Sequence, residues 1–237
     1  MDGSGQGTER DALGMPIGPS IGDWAGARWP GDGPFEGRHC RVERLAPAHA
    51  EALFDAYAEA EDGRDWTYLG YGPFESSASY RRWIERHAAQ RDPHFRVIVP
   101  RTVGRPEGVA SWLRIDPEAG SIEVGHVCLA PALQRTPAAT EAMYLMMREA
   151  FSLGYRRYEW KCDALNERSR RAALRFGFTF EGVFRQATVY KGRSRDTAWY
   201  SVIDREWPAL RDAFERWLEP TNFDADGHQR RALESFR

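Results

Sequence analysis

The chain has 237 residues, a net charge of −2 at pH 7, 42% hydrophobic residues and 13% aromatic residues. That length supports one sizeable core and not two full domains. The composition excludes a disordered chain, and the balanced charge excludes a nucleic-acid binder working through a global basic field. Three cysteines and six histidines, without HxxxH or CxxC spacing, argue against a metal site and a disulfide framework. They suit buried thiols in a reducing cytoplasm. No apolar run has membrane-spanning length and the N-terminus carries no basic–apolar leader, so neither membrane nor export is expected.

Residues 1–38 are rich in glycine and proline and read as an irregular arm. Trp24, Trp29 and Phe35 are large for a free tail. They predict that part of the arm docks on the body or on a second copy of the chain, which makes a homodimer one expected partner arrangement. The body is expected over 39–218. Residues 40–45 alternate as a strand, and Pro47 opens a helix through about residue 60 with Ala50, Leu53, Phe54 and Tyr57 on one face. The aromatic segment 66–74 has no period and reads either as a packed connector or as a substrate-side wall. Ser76 or Ser77 starts a second helix with Tyr80, Trp83, Ile84 and His87 inward. Residues 95–99, 108–115 and 121–129 read as strands. In the last, Ile122, Val124, His126 and Cys128 would share one face, with Glu123, Gly125, Val127 and Leu129 on the other.

Residues 130–154 are the best-defined stretch. Thr136 reads as an N-cap and Pro137 as the first helical residue, where its missing N–H costs nothing. A helix start flanked by small side chains favours anions, although an ordinary capped helix has the same pattern. A strand over 155–163 follows, with Tyr155, Arg157, Glu159, Lys161 and Asp163 on one face. Next come a short helix over 166–176 closed by Gly177, a hairpin of 178–190 with 197–203, an amphipathic helix over 208–218 and a polar tail over 219–237. A helix crossing between the strands at 121–129 and 155–163 makes them parallel neighbours. The fold class is therefore α/β: a mixed, mostly antiparallel sheet with a central parallel strand–helix–strand crossover and flanking helices.

This order and two local motifs resemble the GNAT superfamily of N-acetyltransferases, over roughly residues 39–206. The nearest likeness is to its Rim-type branch of ribosomal-protein N-terminal acetyltransferases. The first motif is the loop and helix start from Gln134 to Ala142, similar to the family's Q/R-x-x-G-x-G/A. Gln134 and Ala139 match, and Pro137 stands where glycine is usual. The second is Asn166, Ser169 and then Gly177-Phe178, similar to N-x-x-S…G-F. Residues 181–185 and 191–193 also look like the Rim-type hairpin.

The resemblance implies an acetyl-CoA donor, an amine acceptor (a small amine, a lysine or a protein N-terminus) and direct transfer in a ternary complex. It implies that the backbone of Cys128, Leu129 and Ala130 pairs with pantetheine, with an N–H near 127–129 as oxyanion donor. The pyrophosphate would be held by the amides of Arg135, Thr136, Ala138, Ala139 and Thr140, beside Gln134. Asn166 reads as a helix cap or as a contact to the pantetheine or acyl region, with Ser169 secondary. The family's general-acid tyrosine would fall at Ala173 and is absent.

The central strand offers Glu123 first and His126 second as proton acceptor, against structural readings as a salt-bridge partner and a core histidine. Glu141 reads as structural, and Cys128 or Cys162 as acyl carrier lacks an activating neighbour. A larger acyl group such as succinyl, or a non-catalytic acyl-CoA-binding module, is the competing expectation.

Overall fold

The computed structural model describes residues 8–237, so the first seven residues of the predicted arm lie outside the described residues. β1 (Glu9–Arg10) and β2 (Pro16–Ile17) form a small exposed hairpin. The main sheet contains β3 (Phe35–Glu36), β4 (Cys40–Arg44), β5 (His94–Pro100), β6 (Gly108–Asp116), β7 (Ser121–Leu129), β8 (Arg157–Asp163), β9 (Thr179–Tyr190) and β10 (Arg193–Ile203). Their spatial order is β3-β4-β5-β6-β7-β8-β10-β9. β7 and β8 are parallel, and the other neighbours are antiparallel. The helices are α1 (Ala50–Ala58), α2 (Ser77–Ala88), α3 (Pro137–Ser152), α4 (Glu167–Arg175) and α5 (Trp207–Trp217). The expected mixed sheet with one parallel crossover is thus present.

Side-chain alternation along the strands builds two cores. Phe95, Val97 and Val99 of β5 pack with Leu53, Tyr80 and Ile84 under α1 and α2. Ile122, Val124, Tyr158 and Trp160 pack on the other face with Ala142, Met146 and Ala150 of α3. Two expected faces are corrected. β8 begins at Arg157, so Tyr155 lies before the strand and is buried with the α3-side core, away from the Arg157 face. In β7, Val109 pairs with Cys128 and Ser111 with Gly125, so Ala110 alone faces both His126 and Val127. This is a β-bulge with His126 at φ 51. It turns His126 and Cys128 toward the α1–α2 core and Val127 toward the α3 core.

The arm docks on its own body. Trp24 Nε1 donates to Glu118 O at 2.7 Å and the Arg28 N–H to Leu153 O at 2.9 Å. Arg96, fully buried between the rings of Phe35 and Trp112, donates to the carbonyls of Gly31 and Gly33. Burial pushes its guanidinium down to about 10. The C-terminal segment also folds back, with Asn222 and Leu233 buried and Phe223 edge-on to Trp217 at 5.1 Å.

Glu141 joins α3 to the first long strand. Its buried carboxylate accepts the backbone N–H groups of Arg38, His39 and Cys40 at 2.8, 2.6 and 2.9 Å. The approach is so close that a Cβ on Gly37 would lie 2.4 Å from the Glu141 Cδ. Removing such an acceptor strands buried donors. Glu141→Ala should lower the unfolding free energy by about 3 kcal/mol in a urea titration, with Glu141→Gln costing less because one acceptor oxygen survives.

Candidate active site

β7 and β8 pair only from Ser121 and Arg157 to Val124 and Trp160. Beyond that point β8 follows β10 to Asp163, while β7 follows β6 to Leu129. The wedge between them opens into a cavity of about 1120 Å³. One wall is β7 at Val127, Cys128 and Leu129, and another is the start of α3 at Thr136, Ala139 and Thr140. α4 supplies Asn166, Ser169 and Arg175 from the opposite side.

The loop before α3 is tightly tied. Thr136 is the N-cap as expected: its Oγ1 accepts the Ala139 N–H at 3.2 Å and donates to Leu133 O at 2.8 Å. The Thr136 N–H reaches Leu133 O, and the Thr140 N–H reaches Thr136 O. Ala130 N–H is held by Glu107 O at 2.8 Å. Of the five loop amides singled out from the sequence, those of Arg135 and Ala138 make no hydrogen bond among the described residues. Arg135, at φ 62, is exposed and lines the cavity. Gln134 Nε2 bridges Asp65 Oδ2 at 2.8 Å and Leu129 O at 3.1 Å, so it braces the loop.

Asn166 caps α4, its Oδ1 accepting the Ser169 N–H at 3.1 Å. Its Nδ2 has no partner among the described residues, and the side chain lines the cavity. Ser169 Oγ accepts the Trp160 indole N–H at 3.0 Å. The Cys128 carbonyl accepts the Tyr57 hydroxyl at 3.0 Å. Burial pushes the Cys128 thiol up to about 12 and also raises Cys162, so neither is a thiolate at neutral pH.

Glu123 and His126 stand apart from this cavity's lining. Glu123 is buried and takes a bidentate pair from Arg114, Nε and Nη2 each at 2.7 Å, with Lys161 Nζ at 3.0 Å. Lys161 also reaches Glu159 at 2.7 Å and sits 3.5 Å from the Trp199 ring centroid. For Glu159, burial alone would raise the carboxyl, but hydrogen bonds from Lys161 and Arg157 outweigh it and hold it low. Arg114, Glu159, Lys161 and Trp199 border a second hollow of about 590 Å³. His126 is half-buried against Tyr71 and Phe95, and its ring nitrogens have no partner among the described residues. Burial, with help from His87 and Arg114, pushes its imidazole down to about 4.

A model of the acetyltransferase (GNAT) domain matches residues 40–179. The chain belongs to the GNAT family of acetyltransferases. Several solved GNAT structures are similar to it. One is a GCN5-related N-acetyltransferase from Brucella melitensis, 44% identical over 91% of this chain and 99% of that one, with a TM-score of 0.89. Another is a probable acetyltransferase of the GNAT family from Chromobacterium violaceum ATCC 12472, 39% identical over 82% and 98% of the two chains, with a TM-score of 0.77. RimL, a ribosomal-protein alpha-N-acetyltransferase, shares the fold at 22% identity and a TM-score of 0.60, over 70% of this chain and 91% of that one. No curated protein matches.

Within this GNAT cleft, Asp65 had no signal in the sequence, whereas Tyr68 belongs to the aromatic segment read as a packed connector or a substrate-side wall. Asp65 ties Gln134 to Arg168, and the Tyr68 hydroxyl donates to Leu165 O at 3.2 Å. Outside the lining, Lys191 at the hairpin tip donates to Trp66 O at 2.7 Å and ties the hairpin to the start of the aromatic segment. Arg64, Arg168, Arg171 and Arg175 join Arg135 in the lining against two carboxylates, Asp65 and Glu167, which pair with Arg168 and Arg171, a local excess of cations in a chain of net charge −2.

The two roles of Asn166 are separable by substitution. Asn166→Asp keeps the cap oxygen and replaces the Nδ2 donor, whereas Asn166→Ala removes both. The Ala variant should lose about 1 kcal/mol of stability. The Asp variant should keep stability and still bind acetyl-CoA more weakly in calorimetry; unchanged affinity would leave Asn166 a cap alone.

The His126 imidazole titrates near 4 in the folded chain against an ordinary 6.5. Its contribution to stability is therefore present above 6.5 and is lost as pH falls toward 4, because the unfolded chain takes the proton first. The Tm advantage of wild type over His126→Gln should narrow across that window; parallel curves would contradict the shift.

Proposed function

We propose that the protein moves an acetyl group from acetyl-CoA directly to a primary amine in a ternary complex. The observation that carries this reading is the wedge between β7 and β8, opening into a cavity that the loop and first turn of α3 also line. The donor set fits the co-substrate. The open Arg135 N–H and the positive end of the α3 dipole suit a pyrophosphate, and Arg135 and Arg175, which have no carboxylate partner within ion-pair distance among the described residues, offset its charge. Acetyl-CoA supplies the activated thioester.

The splayed edge at Val127, Cys128 and Leu129 orients the acyl arm, and an N–H there meets the carbonyl oxygen as it gains charge. Asn166 Nδ2 is a further donor to the arm. His126 is on the strand that forms this edge, turned toward Tyr71 and Phe95. Neutral at pH 7, it accepts a hydrogen bond from the incoming amine or a relaying water without repelling a cation. Glu123, fully ion-paired, anchors the strands beside it. The thiol product has a pKa near ~8.5 and leaves without a dedicated acid. A cytoplasmic setting fits the three buried free thiols.

The test is thiol release from acetyl-CoA and succinyl-CoA against a panel of small amines, lysine peptides and peptide N-termini. Acetyl-CoA with at least one amine should turn over, and acetyl-CoA should raise the Tm. Ala139→Asp, which puts a carboxylate at the α3 start, should abolish both effects; a variant still protected by acetyl-CoA would remove this loop from the site.

A further inference from the structure

Resting on the acetyl-CoA reading above, we propose that residues 223–229 of the C-terminal segment form the wall that faces the adenosine end of the acyl-CoA. The matched domain ends at residue 179, well before this segment. Even so, Phe223, Gly227, His228 and Gln229 line the same cavity as the loop before α3.

The wall is built from specific contacts. Phe223 and Gln229 form a β-bridge. Asp224 Oδ1 accepts the N–H groups of Asp226 and His228 at 3.0 and 2.8 Å, which turns that carboxylate into its own loop. Buried Asn222 donates to Trp217 O at 2.9 Å and accepts the Arg231 N–H at 3.0 Å, gripping both ends. Trp217 Nε1 donates to Gln229 Oε1 at 2.9 Å. Fully buried Leu233 anchors the last turn of the chain, and Arg237 donates to Leu174 O at the end of α4.

The direction of the donor is set by the chemistry of the lining. Residues 127–129 mark the thioester end and the α3 amides mark the pyrophosphate. Further along α3 and α4 the lining becomes Thr140, Arg175 and Trp217, and then the segment. Arg175 Nη1 donates to Thr140 Oγ1 at 3.1 Å, and its guanidinium lies 5.4 Å from the Trp217 ring centroid. The part of acyl-CoA beyond the pyrophosphate is the phosphorylated nucleoside. Aromatic faces and a guanidinium suit a purine and a phosphate. A cavity of about 1120 Å³ also exceeds the ~300–1,000 Å³ of ordinary small-molecule pockets, as a nucleotide-tailed ligand requires.

The experiment uses the full chain and calorimetric Kd values for acetyl-CoA and for acetyl-phosphopantetheine, which lacks the adenosine. The His228 side chain is 80% exposed, so His228→Gln and His228→Glu leave the core intact. His228→Glu should weaken acetyl-CoA about five-fold through repulsion of the phosphates. It should leave acetyl-phosphopantetheine unchanged, and His228→Gln should stay close to wild type. Acetyl-CoA, but not acetyl-phosphopantetheine, should slow tryptic cleavage at Arg230 and Arg231. An acetyl-CoA Kd unchanged in His228→Glu, or an equal loss for both ligands, would overturn the proposal. Wild type binding neither ligand would overturn the acetyl-CoA reading instead.

Discussion

One extra residue in β7 is the constraint on which the site depends. β6 holds β7 on both sides of the bulge, so the chain absorbs the surplus by placing His126 at φ 51. A non-glycine residue in that region costs roughly 1–2 kcal/mol, and the flanking ladder holds it there. The bulge comes immediately after the last β7–β8 partners, Val124 and Trp160. A bulged strand bends and twists more strongly, which draws β7 away from β8. The same residue therefore opens the wedge, reverses the side-chain alternation and delivers an imidazole to the α1–α2 side.

Charge is sorted by face. On the α1–α2 side of the sheet, Arg114, Glu123, Lys161, Glu159 and Arg157 form a continuous chain of ion pairs across β6, β7 and β8. Each carboxylate there is matched, so the chain fixes strand spacing and leaves little free field. The cleft between β7 and β8 has the opposite character, with Arg135 and Arg175 in its lining free of carboxylate partners within ion-pair distance among the described residues. A net charge of −2 concealed this segregation, because local potential depends on where charges sit and not on their total.

Much of the architecture was legible. The Thr136-Pro137 start, the Ser76 cap of α2, the strand over Ser121–Leu129 and the parallel crossover all rest on local chemistry that tertiary packing did not override. The reversal at His126 was not legible, since a strict period of two contains no term for a bulge that the neighbouring strand imposes. The partners of Glu123 were hidden for a related reason: Arg114 and Lys161 meet it only through sheet register. The loop amides were half legible. Pro137 does remove one donor, but the Thr136 cap, the first helical turn and the loop carbonyl of Leu133 take the Ala139, Thr140 and Thr136 donors in turn, which only the folded geometry reveals. The C-terminal segment read as a polar tail because its few apolar anchors, Phe223, Leu233 and Phe236, are too widely spaced to show a period.

Arg96 carries a consequence for where the protein can be cut. Its guanidinium lies between Phe35 of the arm and Trp112 of β6, and its carbonyl partners belong to Gly31 and Gly33, ahead of the matched family segment. A chain trimmed to 40–179 would keep the charge and discard both its acceptors and the Phe35 ring that covers it, opening an apolar face of the sheet around an arginine to water. The matched family segment is thus shorter than the stretch that supplies the core's own hydrogen-bond acceptors. In this protein the arm is part of the core's own chemistry, and Gly31 and Gly33 belong to the folding unit as fully as the strand they serve.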